Sequence, residues 1–147
     1  MFSHLLFKDD IPFGVEYADF AKRHYLKQIQ KDYPGKQWEI TEEAVFEDLS
    51  RISYTDQDLQ QTQQVDELWH NGDYWIFKYD FRVAGRKESK KDSGNRCIVY
   101  LDISKRTIEI LMIFHHKYLP KNTKESQYIE LTIKEHFPKY YKKCTEQ

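Results

Sequence analysis

Residues 74–83 read YWIFKYDFRV, and this strict alternation constrains the chain more than any other feature. A strand sends successive side chains to opposite faces, so parity sorts them. Trp75, Phe77, Tyr79, Phe81 and Val83 share one face; Tyr74, Ile76, Lys78, Asp80 and Arg82 share the other. Two further segments behave alike. Cys97, Val99, Leu101 and Ile103 oppose Arg96, Ile98, Tyr100 and Asp102, and Ile108, Ile110, Met112 and Phe114 oppose Glu109, Leu111, Ile113, His115 and Lys117. Each segment offers one apolar face and one mixed face that carries the cations.

Pairing these strands gives a register. With Lys105 and Arg106 as a two-residue turn, Ile103 faces Ile108, Leu101 faces Ile110, Val99 faces Met112 and Cys97 faces Phe114. All the apolar faces then agree. The same register sets Arg96 opposite His115. Closing the other hairpin through residues 84–95 sets Arg82 beside Arg96. Arg82, Arg96 and His115 are therefore expected at one end of the mixed face, with Lys117 just beyond. On that reading none of the three points into the core.

The remaining segments supply helices. Residues 3–8 suit a short first strand, and residues 9–14 read as a turn-rich loop. Residues 16–32 place Tyr17, Phe20, Ala21, Tyr25 and Ile29 on one helical face, and Pro34-Gly35 ends that helix. Thr41 is a good N-cap for a second helix whose buried stripe is Val45, Phe46, Leu49 and Ile52. The two make a helical hairpin able to cover the apolar face of the sheet. Residues 55–64 are polar and glutamine-rich, suiting a surface helix or a loop. Asn122 or Thr123 can cap a last helix through about residue 137, with Pro138 as its stop and a frayed tail beyond. The fold class expected is α+β: an N-terminal helical hairpin packed on an antiparallel sheet, plus a C-terminal helix, in a single domain spanning residues 1–147.

Charge is split along the chain. Residues 1–73 carry 7 Lys and Arg against 15 Asp and Glu, a net of −8. Residues 74–147 carry 16 against 9, a net of +7. That asymmetry points to a basic working surface on the C-terminal half, facing phosphate or an acidic partner. The absence of a run of about 18 apolar residues argues against a membrane span. Cys97 and Cys144 fit a reduced, cytoplasmic protein.

Several chemistries lack their motifs. No phosphate-binding glycine loop, Cys-x-x-Cys pair or His-Glu-x-x-His helix is present. His115 and His116 are adjacent, so on a strand they point apart and cannot serve one metal. No metal site and no cofactor is expected. The loop at residues 86–91 has the composition to grip a polyanion, or to be a solvated hairpin tip. The run KYYKK at residues 139–143 mixes aromatics with cations, as binders of single strands do.

Arg82, the run Lys90-Lys91-Asp92-Ser93-Gly94-Asn95-Arg96, then Ile98-Val99-Tyr100, Lys117 and Asn122 resemble the RelE/ParE superfamily of toxin-like proteins, and most of all its HigB-type branch. In that branch an arginine strand leads into a Lys-Ser-Gly-Gly-x-Arg-like hairpin; here Asp92 is inserted and Asn95 stands for a glycine. The resemblance covers roughly the last half of the chain. It implies the toxin of a type II toxin-antitoxin system, an endoribonuclease that cleaves mRNA without a metal, commonly on the ribosome, and is held inactive by a cognate antitoxin. Arg82 and Arg96 would bind and stabilise the scissile phosphate, since a guanidinium fork meets two phosphate oxygens. His115 would serve as acid or base, and Lys117 would supply charge or proton transfer. Lys90, Lys91 and Tyr118 are RNA-contact candidates. The alternative is a non-catalytic binding protein on the same fold, a gyrase-inhibiting relative or a protein-interaction module, which the near-neutral total charge favours.

Overall fold

A computed structural model describes residues 12–52 and 65–146. The expected first strand at residues 3–8 and the glutamine-rich stretch at 55–64 lie outside the described residues. The described strands are β1 (Gly14–Tyr17), β2 (Val65–Asn71), β3 (Tyr74–Phe81), β4 (Asn95–Asp102) and β5 (Thr107–His115). They form a five-stranded sheet in the order β1-β5-β4-β3-β2. Strands β2 to β5 make an antiparallel meander; β3 to β5 follow the alternation of their sequences, whereas β2 falls on residues 65–71, where no strand was expected. The sheet is mixed rather than purely antiparallel, because β1 pairs with β5 in parallel. That strand takes Gly14 from the expected loop and Glu16 and Tyr17 from the expected first helix, which begins only at Asp19.

Between β1 and β2 the chain forms the expected helical hairpin. Helix α1 spans residues 19–32, but its middle turn, Lys22–Leu26, widens into a π-helix. Helix α2 (Lys36–Ser50) starts one residue after Gly35, not at Thr41. Thr41 sits inside it, where its Oγ donates to the Gln37 carbonyl at 2.8 Å. The same oxygen accepts the Ala84 N–H at 2.8 Å and so ties α2 to the β3–β4 loop.

After β5 a short 3-10 turn (His116–Tyr118) leads to α3 (Glu125–His136) and α4 (Pro138–Thr145). The tail is thus an ordered helix rather than a frayed end. Proline at its first position lacks only an N–H that would have had no partner there, so Pro138 starts a helix as well as ending one. Cys144 is buried within it.

Helices cover both faces of the sheet. Trp38, Val45 and Leu49 of α2 and Ile29 of α1 pack on Trp75, Phe77, Phe81, Val99, Leu101 and Ile110. On the other face Ile129 and Ile133 of α3 and Cys144 of α4 pack on Ile76, Ile98, Tyr100, Leu111, Met112 and Phe114. The mixed face of the sequence reading is therefore a second core, not a solvated cationic surface. Fully burying each large side chain is worth roughly 1.5–3 kcal/mol. The apolar members of the mixed face, Ile76, Ile98 and Leu111, draw in α3.

The β4–β5 register differs from the two-residue-turn expectation. Leu101 faces Ile108 and Asp102 faces Thr107, so residues 103–106 form a wider turn with Arg106 at φ 53°. The pairing then shifts between Ile98 and Val99, and Val99 faces Ile110 while Ile98 faces Met112. Leu111 is the extra residue of this β-bulge, and both Leu111 and Met112 pack towards α3. Beyond the bulge the parity of β5 is reversed. Arg96 now faces Phe114, and Asn95 faces His115. In the other hairpin Asp80, not Arg82, faces Arg96.

Candidate functional site

The rung Phe81–Asn95–His115 closes one end of the sheet, and the β3–β4 loop folds back over it. Ser93 pins that loop. Its Oγ lies 2.6 Å from the carbonyl oxygens of both Phe81 and Lys90, and it accepts the Asn95 N–H at 3.1 Å. Gly94 then turns the chain at φ 79°, in the left-handed region that glycine tolerates without strain. Its carbonyl accepts the His116 N–H at 2.9 Å.

His115 is half-buried at the exit of β5. Its Nδ1 accepts the Lys117 N–H at 3.0 Å. A further hydrogen bond joins the ring to the backbone of Ser93. Burial, followed by the positive charge of His116 and Lys117, lowers its pKa below the ordinary 6.5. The ring is therefore neutral near pH 7, with its nitrogens held by the backbone around it.

Beside His115 lies a cleft of about 270 Å³. His24, Tyr25, Gln28, Ile29 and Asp32 of α1 line one wall; Ile113, Phe114, His115, Tyr118 and Tyr128 line the rest. β1 pairs only with residues 107–110 of β5, so α1 lies against the part of β5 that β1 leaves uncovered. The π turn carries His24 and Tyr25, and π distortions are frequent at functional sites. Tyr25 and Tyr128 meet hydroxyl to hydroxyl at 2.6 Å, and burial pushes the Tyr25 pKa up. At the mouth, Tyr118 Oη donates to the Asp32 carboxylate at 2.6 Å, and Gln28 Nε2 donates to Tyr118 Oη at 3.0 Å.

The nominated residues separate. Arg96 and His115 lie on neighbouring strands at the same end but on opposite faces, because the bulge reverses the parity of His115. Arg96 is only 8% exposed. Its Nε contacts Glu125 Oε1 at 3.1 Å, and its Nη1 lies 3.3 Å from Asp80 Oδ1 and donates to the Lys91 carbonyl at 3.1 Å. Lys78 joins the cluster at 3.2 Å from Glu125 Oε2. Burial raises the Asp80 pKa more than Arg96 and Lys78 lower it. Arg96 is thus engaged inside the fold under α3.

Arg82 lies past the last rung, exposed, with Nη1 donating to the Glu88 carbonyl at 3.1 Å. It lines a pocket on the α2 side with Arg86 and Lys90, and Lys90 Nζ lies 3.8 Å from Asp48. Lys91 and Lys117 are exposed; Lys117 Nζ sits 5.2 Å from the Tyr118 ring centroid. The cleft therefore brings together His115 and Tyr118, with Lys117 beside them. Arg82 and Lys90 lie around the corner of the same sheet end, and Arg96 is withdrawn.

Sequence reasoning missed His24, Gln28 and Asp32. Their spacing of four residues along an amphipathic helix is a polar stripe beside the buried Tyr25 and Ile29, and that signal was legible. Among the described residues no group of three or more His, Cys, Asp and Glu is placed to hold a metal ion, and no helix is long and apolar enough to cross a membrane. No family model matches the chain, and neither a curated protein nor a solved structure matches it.

Proposed function

We propose that this chain is a RelE/HigB-like toxin, a metal-independent endoribonuclease acting on mRNA, with the cleft beside His115 as its RNA site. One observation carries the reading: the cleft sets His115 and Tyr118 against His24 and Tyr25 of a π turn, at the sheet end flanked by Arg82, Lys90, Lys91 and Lys117. Tyr25, Phe114, Tyr118 and Tyr128 offer rings for unstacked bases. The flanking cations offer charge to the backbone phosphates. The 2′-hydroxyl of RNA is the internal nucleophile, so the protein supplies proton transfer and charge. His24, exposed on α1, takes the proton-transfer role, for which imidazole is suited near neutral pH. His115, whose pKa is lowered first by burial and then by His116 and Lys117, is a positioning residue, and Lys117 stabilises the charged phosphorane. A cognate antitoxin would cover this basic end, and the working compartment is the cytoplasm, with the ribosome as the platform for mRNA.

A second reading is a non-catalytic binding protein of the same class. It is favoured by Arg96, whose guanidinium faces Asp80 and Glu125 rather than open solvent. Induced expression in a bacterial host separates the two. The first reading expects growth arrest with new mRNA 5′ ends. Arrest with intact mRNA moves the chain to the second reading, and unaffected growth with intact mRNA removes the toxin reading.

A further inference from the structure

At the opposite end of the sheet, two glutamates meet on neighbouring strands. Glu16 of β1 and Glu109 of β5 are directly paired in register, and Glu109 is in turn paired with Tyr100 of β4. β1 and β5 run parallel and neighbouring strands lie about 4.8 Å apart, so the two carboxylates leave one face of the sheet side by side, Glu16 exposed and Glu109 half-buried. Asp102, 3% exposed, adds a third carboxylate two residues along β4 on the same face. All three line one pocket of about 240 Å³ with Tyr100, Tyr140, Lys105 and Lys143. Among the described residues no lysine or arginine comes within ion-pair distance of any of the three.

A second observation is independent of the carboxylates. Tyr100 is 4% exposed, lines this pocket, and its hydroxyl is buried without any hydrogen-bond partner. Leaving such a group unpaired costs about 1–3 kcal/mol. Its ring is fixed between Tyr74 and Tyr140, stacked on the latter at 3.9 Å between centroids, so it cannot turn out to water. Tyr140 Oη donates to Glu109 Oε1, and Asp102 Oδ1 accepts from Ser104 Oγ at 2.7 Å and Lys105 N–H at 3.2 Å. Those bonds aim the carboxylates without neutralising them.

We propose that this pocket binds a small aliphatic diamine. One ammonium would sit between Glu16 and Glu109, with its N–H groups shared by both carboxylates. The second would reach Asp102 and the Tyr100 hydroxyl oxygen. An ammonium brings three donors to carboxylates that only accept, and among the described residues Lys105 and Lys143, which also line the pocket, lie beyond ion-pair distance of all three. The pocket volume suits a short chain rather than a folded partner. This site lies at the other end of the sheet from the proposed RNA cleft and does not depend on that reading.

The test is titration of the whole chain with putrescine by calorimetry at low ionic strength, beside ethylamine and magnesium chloride. Saturable putrescine binding, tighter than ethylamine, is expected. Glu109→Gln and Tyr100→Phe should each weaken it by about tenfold or more, the loss of one charge-assisted hydrogen bond. Glu16→Gln should weaken it likewise while keeping the fold. Absence of saturable putrescine binding overturns the proposal. So does binding unchanged in folded Glu109→Gln and Tyr100→Phe, or magnesium binding that putrescine does not compete with.

Discussion

Gly94 lies directly under the His115 ring: a Cβ built on residue 94 would come within 2.6 Å of His115 Cε1 and 2.7 Å of Nε2. The backbone there is at φ 79°, so any side chain is strained as well as crowded. Gly94→Ala should cost roughly 1–3 kcal/mol, from the left-handed conformation together with the displaced ring. Chemical denaturation of the purified variant checks this. A variant as stable as the native chain would mean the ring does not rest on Gly94.

His115 also sets a pH dependence. Its pKa is lowered in the fold, first by burial and then by His116 and Lys117, with a smaller contribution from Arg96. A group with a depressed folded pKa contributes stability that is present above its unfolded value and lost as pH falls through its folded value. Protonation would also oppose acceptance of the Lys117 N–H at Nδ1. His115→Gln should therefore flatten the fall in melting temperature between about pH 7 and pH 5. Equal slopes in the native chain and the variant would contradict the assignment.

Arg96 gives the largest predicted loss of stability. Removing it leaves Asp80 buried beside Glu125 with only Lys78 near, and an uncompensated buried charge costs about 3–5 kcal/mol. Arg96→Met should be destabilised on that scale, and adding Asp80→Asn should restore much of the loss. Equilibrium unfolding of the single and double variants decides it. Strand parity alone places Arg96 on an open face, where the same substitution would leave the fold intact.

That contrast shows what was legible. Alternation in residues 74–83 gave β3 its faces correctly, because a strand free of bulges keeps a period of two. The helical hairpin followed from the spacing of Ala21, Tyr25 and Ile29 and of Val45 and Leu49. The bulge at Leu111 was not legible. Both faces of β5 are apolar there, so a reversed parity leaves the pattern equally plausible. The partners of Arg96 were hidden for another reason: Asp80 reaches it across a strand pair, and Glu125 from a helix 29 positions away. The polar stripe of α1 was visible but gained meaning only once α1 was seen against the uncovered part of β5.

Helix α3 offers an internal comparison. Ile133 is fully buried, whereas Leu131, two residues earlier, is 65% exposed. Ile133→Ala should cost about 2–5 kcal/mol, and Leu131→Ala well under 1 kcal/mol, as surface substitutions usually do. Melting curves of the two variants check whether α3 truly seals the second core. A Leu131 effect as large as that of Ile133 would contradict the packing described.

The cleft between α1 and β5 is the proposed site of RNA cleavage. The most direct measurement is cleavage of a defined mRNA by purified protein in the presence of a chelator, with and without ribosomes, comparing the native chain with His24→Ala. Loss of a positioned acid or base typically costs about 100- to 10,000-fold in rate. Chelator-insensitive cleavage by the native chain is expected, with a loss of that size in folded His24→Ala. Intact mRNA with the native chain under both conditions, or undiminished cleavage by His24→Ala, would contradict it.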